Sequence, residues 1–132
     1  MNSFKTKALL TAQHLAMASC SMTLLMLSSA SFAVQPLPTN GVIASGSGSI
    51  SKSGAAMSIT QNTAAMSIDW DSFSIGNNNQ VTFVQPSSSS VSINRITGGQ
   101  ASSILGRLNA NGRVFLVNPS GIMFGAGARV NV

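Results

Sequence analysis

From residue 41 onward the apolar residues come in short blocks, mostly spaced two apart, and Gly, Asn, Pro or Ser closes each block. A period of two places alternate side chains on opposite faces of an extended chain, so this rhythm predicts many short strands. One block recurs. Ala55-Ala56-Met57-Ser58-Ile59 returns nine residues later as Ala64-Ala65-Met66-Ser67-Ile68. In both copies Met and Ile share one face and Ser lies on the other. The spacing predicts two strands that pair with each other, Met57, Ile59, Met66 and Ile68 facing inward and Thr60–Thr63 turning the chain between them. Two copies do not by themselves establish a solenoid.

The pattern continues in the same manner. Val34–Gly41 is a Pro-containing lead-in, and Gly46–Gly54 alternates Gly with Ser as a weak strand or a mobile loop. Trp70, Phe73 and Ile75 are expected inward. The change of parity between Trp70 and Phe73 requires one extra residue, hence a bulge or bend near Asp71-Ser72. Gly76–Asn79 reads as a turn, Val81–Phe83 as a strand ended by Pro86 and Ser87–Ser90, and Val91–Ile93 as another strand ahead of Gly98-Gly99. Ala101–Leu108 is the one helix-like stretch, with Ile104 and Leu108 four apart; Gly106 limits it to a single turn. Asn111-Gly112 is a turn signal. Val114–Val117 is apolar on both faces, as in a strand covered on both sides. Asn118-Pro119-Ser120-Gly121 suits a type I turn at each position. Strand signals return at Ile122–Phe124 and Val130–Val132. The class is all-β, a sandwich or solenoid rather than a closed barrel.

The N-terminus reads differently. Lys5 and Lys7 precede an apolar stretch densest at Met22–Leu27, and Ser31-Phe32-Ala33 carries small residues where a signal peptidase reads. Pro36 and Pro38 follow. The dense run is far short of the roughly 20 residues that span a bilayer, so residues 1–33 are expected to be a signal peptide cut between Ala33 and Val34 rather than an anchor. Cys20 is the one cysteine. The most apolar residues follow it, where the mature start of a lipoprotein is polar, so lipidation is not expected. Cleavage removes Cys20 and His14, leaving one domain, 34–132, without thiol or imidazole.

Charge and chemistry narrow the function. Past residue 33 the charged residues are Lys52, Arg95, Arg107, Arg113 and Arg129 against Asp69 and Asp71. The cations are scattered, and one Trp with no Tyr offers little for base stacking, so nucleic acid is not an expected partner. Asp69 and Asp71 flank Trp70 on one strand face. Paired carboxylates can hydrolyse a glycosidic bond, but no further carboxylate or histidine supports them, and a solvated face beside a buried Trp is the simpler reading. The same shortage excludes a metal site, and serines without a base are not nucleophiles. No catalytic residue, metal or cofactor is expected. Arg95 and Arg107 bind anionic sugar or lipid, or, more simply, solvate a strand edge.

Several blocks carry a resemblance in order and spacing: Trp70–Gly76, Val81–Pro86, Asn94–Gly99, Ile104–Gly112 and Val114–Gly125. Together they resemble the N-terminal secretion (haemagglutination activity) domain of filamentous-haemagglutinin-like exoproteins of two-partner secretion systems. The resemblance implies a right-handed parallel β-helix opened by a capping segment of short strands. It implies Sec export, then recognition in the periplasm by a dedicated outer-membrane β-barrel transporter with periplasmic repeats, and release from the cell or display on its surface. The motif positions are Trp70, Phe73, Asn94, Arg95, Gly98, Gly99, Asn111 and Gly112. Asn118, Pro119, Ser120, Gly121 and Ile122 are the recognition or structural turn, with Ser120 where the family has Asn. The family's domain runs on past this length, so a fragment or a truncated reading frame is expected, with host-cell contact left to a downstream region. Two other readings compete: a free-standing glycan-binding adhesin using Trp70, and, least supported, a β-helical polysaccharide-cleaving enzyme.

Overall fold

The computed structural model describes residues 36–132, which form eleven strands and no helix. The expected signal peptide and its cleavage point at Ala33–Val34 lie outside the described residues. In chain order the strands are β1 (Val42–Ser45), β2 (Gly48–Ser53), β3 (Ala56–Gln61), β4 (Ala65–Trp70), β5 (Gln80–Val84), β6 (Val91–Ile96), β7 (Ser102–Ile104), β8 (Arg107–Ala110), β9 (Arg113–Val117), β10 (Ile122–Phe124) and β11 (Arg129–Asn131).

Three parallel stacks make a solenoid of about three turns. They are β3-β5-β8-β11, β4-β6-β9 and β7-β10. Antiparallel strands cover the first coil: β2 on β3 and β1 on β4. The Gly/Ser alternation of 46–54 is therefore a strand, and its short, polar side chains suit a covering edge.

The two repeat copies do not pair, contrary to the spacing argument. In its sheet β3 lies between β2 and β5, and in a second sheet β4 lies between β1 and β6. The residues between the copies form a solenoid corner instead of a hairpin. Asn62 N–H donates to the Ser47 carbonyl (2.7 Å), and Thr63 Oγ1 donates to the Ala65 carbonyl (2.8 Å). Each copy then meets its partner one coil later. The predicted faces hold: Met57, Ile59, Met66 and Ile68 are all buried.

A second difference lies at 101–108, which holds two strands and no helical turn. Gly106 divides β7 from β8 at a tight corner. Leu105 and Gly106 both donate to the Ile75 carbonyl (2.7 and 3.1 Å). A Cβ on Gly106 would stand 2.2 Å from the Gly76 carbonyl oxygen, so only glycine passes there. Ile104 and Leu108 are both buried, but they reach the core from different strands.

A third difference concerns β9. Val114 and Leu116 pack on the core, whereas Phe115 and Val117 are 53% and 50% exposed. The strand is covered on its inner face alone. The expected bend does occur at Asp71-Ser72, where Ser72 bridges Thr39. It lets Trp70 and Phe73 both point inward, their rings edge to face at 5.5 Å.

At one corner the coils are joined by a buried amide column. Gln85 Nε2 donates to Gln61 Oε1 (3.2 Å) and to the carbonyls of Ser90 (3.3 Å) and Arg113 (3.2 Å). Its Oε1 accepts from Gly112 N–H (2.9 Å). Gln61 Nε2 donates in turn to the carbonyls of Thr63 (2.7 Å) and Val91 (3.0 Å). One side chain thus ties three successive coils. Asn111 clamps the same corner, accepting from Gln85 N–H and donating to its carbonyl, both at 2.7 Å.

Gln85→Leu keeps the volume but strands the Gly112 N–H and several carbonyls. Urea denaturation is expected to show a loss of about 3 kcal/mol, because unpaired buried polar groups carry their full desolvation cost. A loss below about 0.5 kcal/mol, the level of an ordinary surface change, would contradict this role.

Candidate functional site

The coil corners that follow β4, β6 and β9 lie one above another, and they gather most of the motif residues singled out in the sequence. In the first layer Trp70 and Phe73 are buried. In the second, Thr97 N–H donates to the Trp70 carbonyl (2.8 Å) and Gly98 N–H to that of Asp71 (3.1 Å). A Cβ on Gly98 would sit 2.1 Å from the Asp71 oxygen, and Gly99 has a φ of +86°. Both glycines are therefore required by close approach or by backbone conformation.

The third layer is the Asn118–Gly121 turn, and it has the predicted form. Gly121 N–H donates to the Asn118 carbonyl (3.0 Å), and Ser120 N–H donates to Asn118 Oδ1 (2.9 Å). Asn118 Nδ2 reaches down to the Gln100 carbonyl and to Ser102 Oγ, both at 2.9 Å. Ser120 Oγ donates to the Gly99 carbonyl (3.0 Å). Ser120 thus bonds to the layer below. Pro119, Ser120 and Gly121 are exposed, while Asn118 and Ile122 are partly buried.

Behind this corner the motif residues are structural. Trp70 Nε1 donates to Asn94 Oδ1 (2.9 Å), and Asn94 Nδ2 donates to Ser92 Oγ (3.2 Å) and the Phe115 carbonyl (3.4 Å). Trp70 is 1% exposed, so it offers no ring to a sugar. Asn111 and Gly112 lie apart from this cluster, at the Gln85 corner. Arg95 is on the outer face, its Nε 2.7 Å from Asp69 Oδ1. Asp71 accepts from Asn40 Nδ2 (2.7 Å). The two aspartates are thus engaged by different partners. Asn40, Asp71, Gly98 and Gln100 help line an open depression of about 510 Å³ beside the turn. Among the described residues no group of three potential metal ligands occurs.

Sequence reasoning overlooked Gln61 and Gln85. A signal existed: each stands two residues after a buried apolar side chain, Ile59 and Phe83, and the two are 24 residues apart. Arg129 was also not placed beside Arg107, its register partner.

A family model described as the TPS secretion domain matches residues 34–132. A heme/hemopexin-binding protein of Haemophilus influenzae is 47% identical over 96 residues, 73% of this chain and 11% of that protein. A second H. influenzae protein of the same description is 47% identical over 76 residues, 58% of this chain and 8% of its own length. The crystal structure of the HMW1 secretion domain from H. influenzae superposes with a TM-score of 0.64 at 33% identity. That match covers 67% of this chain and 23% of the other. The chain thus spans about a tenth of the length of the curated relatives it matches.

Asn118→Ala removes three side-chain bonds, two to the layer below and one within the turn. It is expected to lower unfolding free energy by about 2 kcal/mol in urea titrations. Arg95→Ala, which breaks an exposed ion pair, is expected to change it by less than about 1 kcal/mol. Equal effects would contradict the distinction drawn between corner and outer face.

Proposed function

The chain belongs to the family of TPS secretion domains, and on that premise we propose that residues 34–132 are an export address read in the periplasm by a dedicated outer-membrane β-barrel transporter. The observation that carries this reading is the family match, which extends over every residue after the proposed signal peptide. The sequence of events begins with Sec export and removal of residues 1–33 after Ala33. The transporter's periplasmic repeats then engage the folded or folding domain, and the protein leaves the cell or stays on its surface.

The corner at Asn118–Ile122 is the proposed point of recognition. Three of its five residues are exposed, and its backbone is fixed by bonds to the coil beneath. The edges of β1 and β2 suit strand addition, in which a partner strand completes an open sheet; among the described residues each pairs with one neighbour. The relatives named for heme and hemopexin binding are proteins of which this domain matches about a tenth. The reading gives this domain the task of export. It assigns any haem-acquiring activity, and any host-cell contact, to other parts of such a protein.

Co-expression with the cognate transporter in a Gram-negative host tests the reading. Secretion into the medium is expected to disappear when residues 70–125 are deleted. Pro119→Ala combined with Ser120→Ala, which gives up one exposed bond to the coil beneath, is expected to reduce it several-fold while the urea midpoint falls less than in Asn118→Ala. Undiminished secretion from the deletion would overturn the reading.

A further inference from the structure

The five-stranded sheet β2-β3-β5-β8-β11 turns one face to the core and the other to solvent. Its register sets Ser51, Ser58, Thr82, Asn109 and Asn131 opposite one another across all five strands. Neighbouring strands are about 4.8 Å apart, so this row of hydroxyls and amides is roughly 19 Å long. A second row runs beside it: Ser53, Ala56, Gln80, Arg107 and Arg129. Both rows are on the outward face, since Met57, Val81 and Leu108 between them are buried.

Two features of this face call for a ligand. Arg107 and Arg129 are exposed and occupy facing positions on adjacent strands. Like charges so placed repel. Among the described residues neither has an acidic partner, for the one ion pair is Asp69–Arg95. Next to them, Ser51, Ser53, Ser58, Gln80 and Thr82 help line a recess of about 290 Å³. An anion bridging the two guanidinium groups would relieve the repulsion and use their paired donors.

We propose that this face binds an anionic polysaccharide, with Arg107 and Arg129 together holding an acidic group and the Ser/Thr/Asn row bonding the sugar hydroxyls. The outward rows contain no aromatic ring, which disfavours stacked nucleic-acid bases. Neither row holds an exposed large apolar side chain; Val84, two residues beyond Thr82 on the same face, is exposed, too little for insertion into a lipid surface. The interaction is separate from the export reading: loss of polysaccharide binding leaves secretion unaffected.

The test is binding of the secreted full chain to immobilised dextran sulfate and to unmodified dextran, followed by surface plasmon resonance. Binding is expected to dextran sulfate alone. Arg107→Gln and Arg129→Gln are each expected to weaken it about tenfold, the scale of a charge-assisted contact. Arg113→Gln and Lys52→Gln remove the same charge elsewhere and are expected to weaken it less than about twofold, as screened, distant charges do. Circular dichroism and urea midpoints verify that all four variants are folded. Equal losses from the four variants would reveal general attraction of a basic chain and overturn the proposal, as would absence of binding.

Discussion

Parallel pairing of each coil with the next is the constraint on which the other features of this domain depend. A strand inside a stack donates and accepts on both edges, so its backbone is satisfied only if the next coil arrives in register. That register also decides what the core contains, because inward positions must fall on inward positions. Met57 stacks on Val81, Val81 on Leu108 and Leu108 on Val130. The steps are unequal, at 24, 27 and 22 residues (57 to 81 to 108 to 130). The surplus is absorbed at corners, and the corners carry the glycines and amides that hold them.

Those amides explain an interior that is more polar than its size suggests. In β6 the inward residues are Ser92, Asn94 and Ile96, while Ile93 is 40% exposed. An apolar alternation rule would turn this strand over. The inward asparagine is kept because it meets three needs: it accepts from the Trp70 indole, and it donates to Ser92 Oγ and to a carbonyl of the third coil. Gln85 does the same at the opposite corner. Among the described residues no buried side-chain polar atom is without a partner. A satisfied buried network of this kind favours one register over its neighbours, which a solenoid of short strands needs.

Much of this was legible in the sequence, and what was not has identifiable causes. Alternation within a strand is local, so the inward faces of Met57, Ile59, Met66, Ile68, Trp70 and Phe73 could be read directly. The Asn118–Gly121 turn was equally legible, because each of its residues has a local conformational preference. Pairing is not local. The nearest similar strand to β3 in the chain is β4, yet its parallel partner in space is β5, and only a corner at Asn62–Thr63 separates the two outcomes. Ala101–Leu108 looked helical because a corner at Gly106 happens to space Ile104 and Leu108 four apart. The resemblance supplied the stacking that periodicity alone left open. It could not show that Arg107 and Arg129, far apart in sequence, lie side by side.

Stacking also turns scattered motifs into a surface. Trp70, Asn94, Gly98, Gly99 and the Asn118–Gly121 turn come from three coils and meet at one corner, with buried members supporting exposed ones. In the proposed reading a transporter engages that corner as the coils present it. The most direct measurement is hydrogen exchange of the chain, followed by mass spectrometry, with and without the periplasmic region of its cognate transporter. Slower exchange is expected at residues 99–100 and 118–122, with little change at the Gln61–Gln85 corner. Unchanged exchange at 118–122 alongside demonstrable binding would contradict that reading.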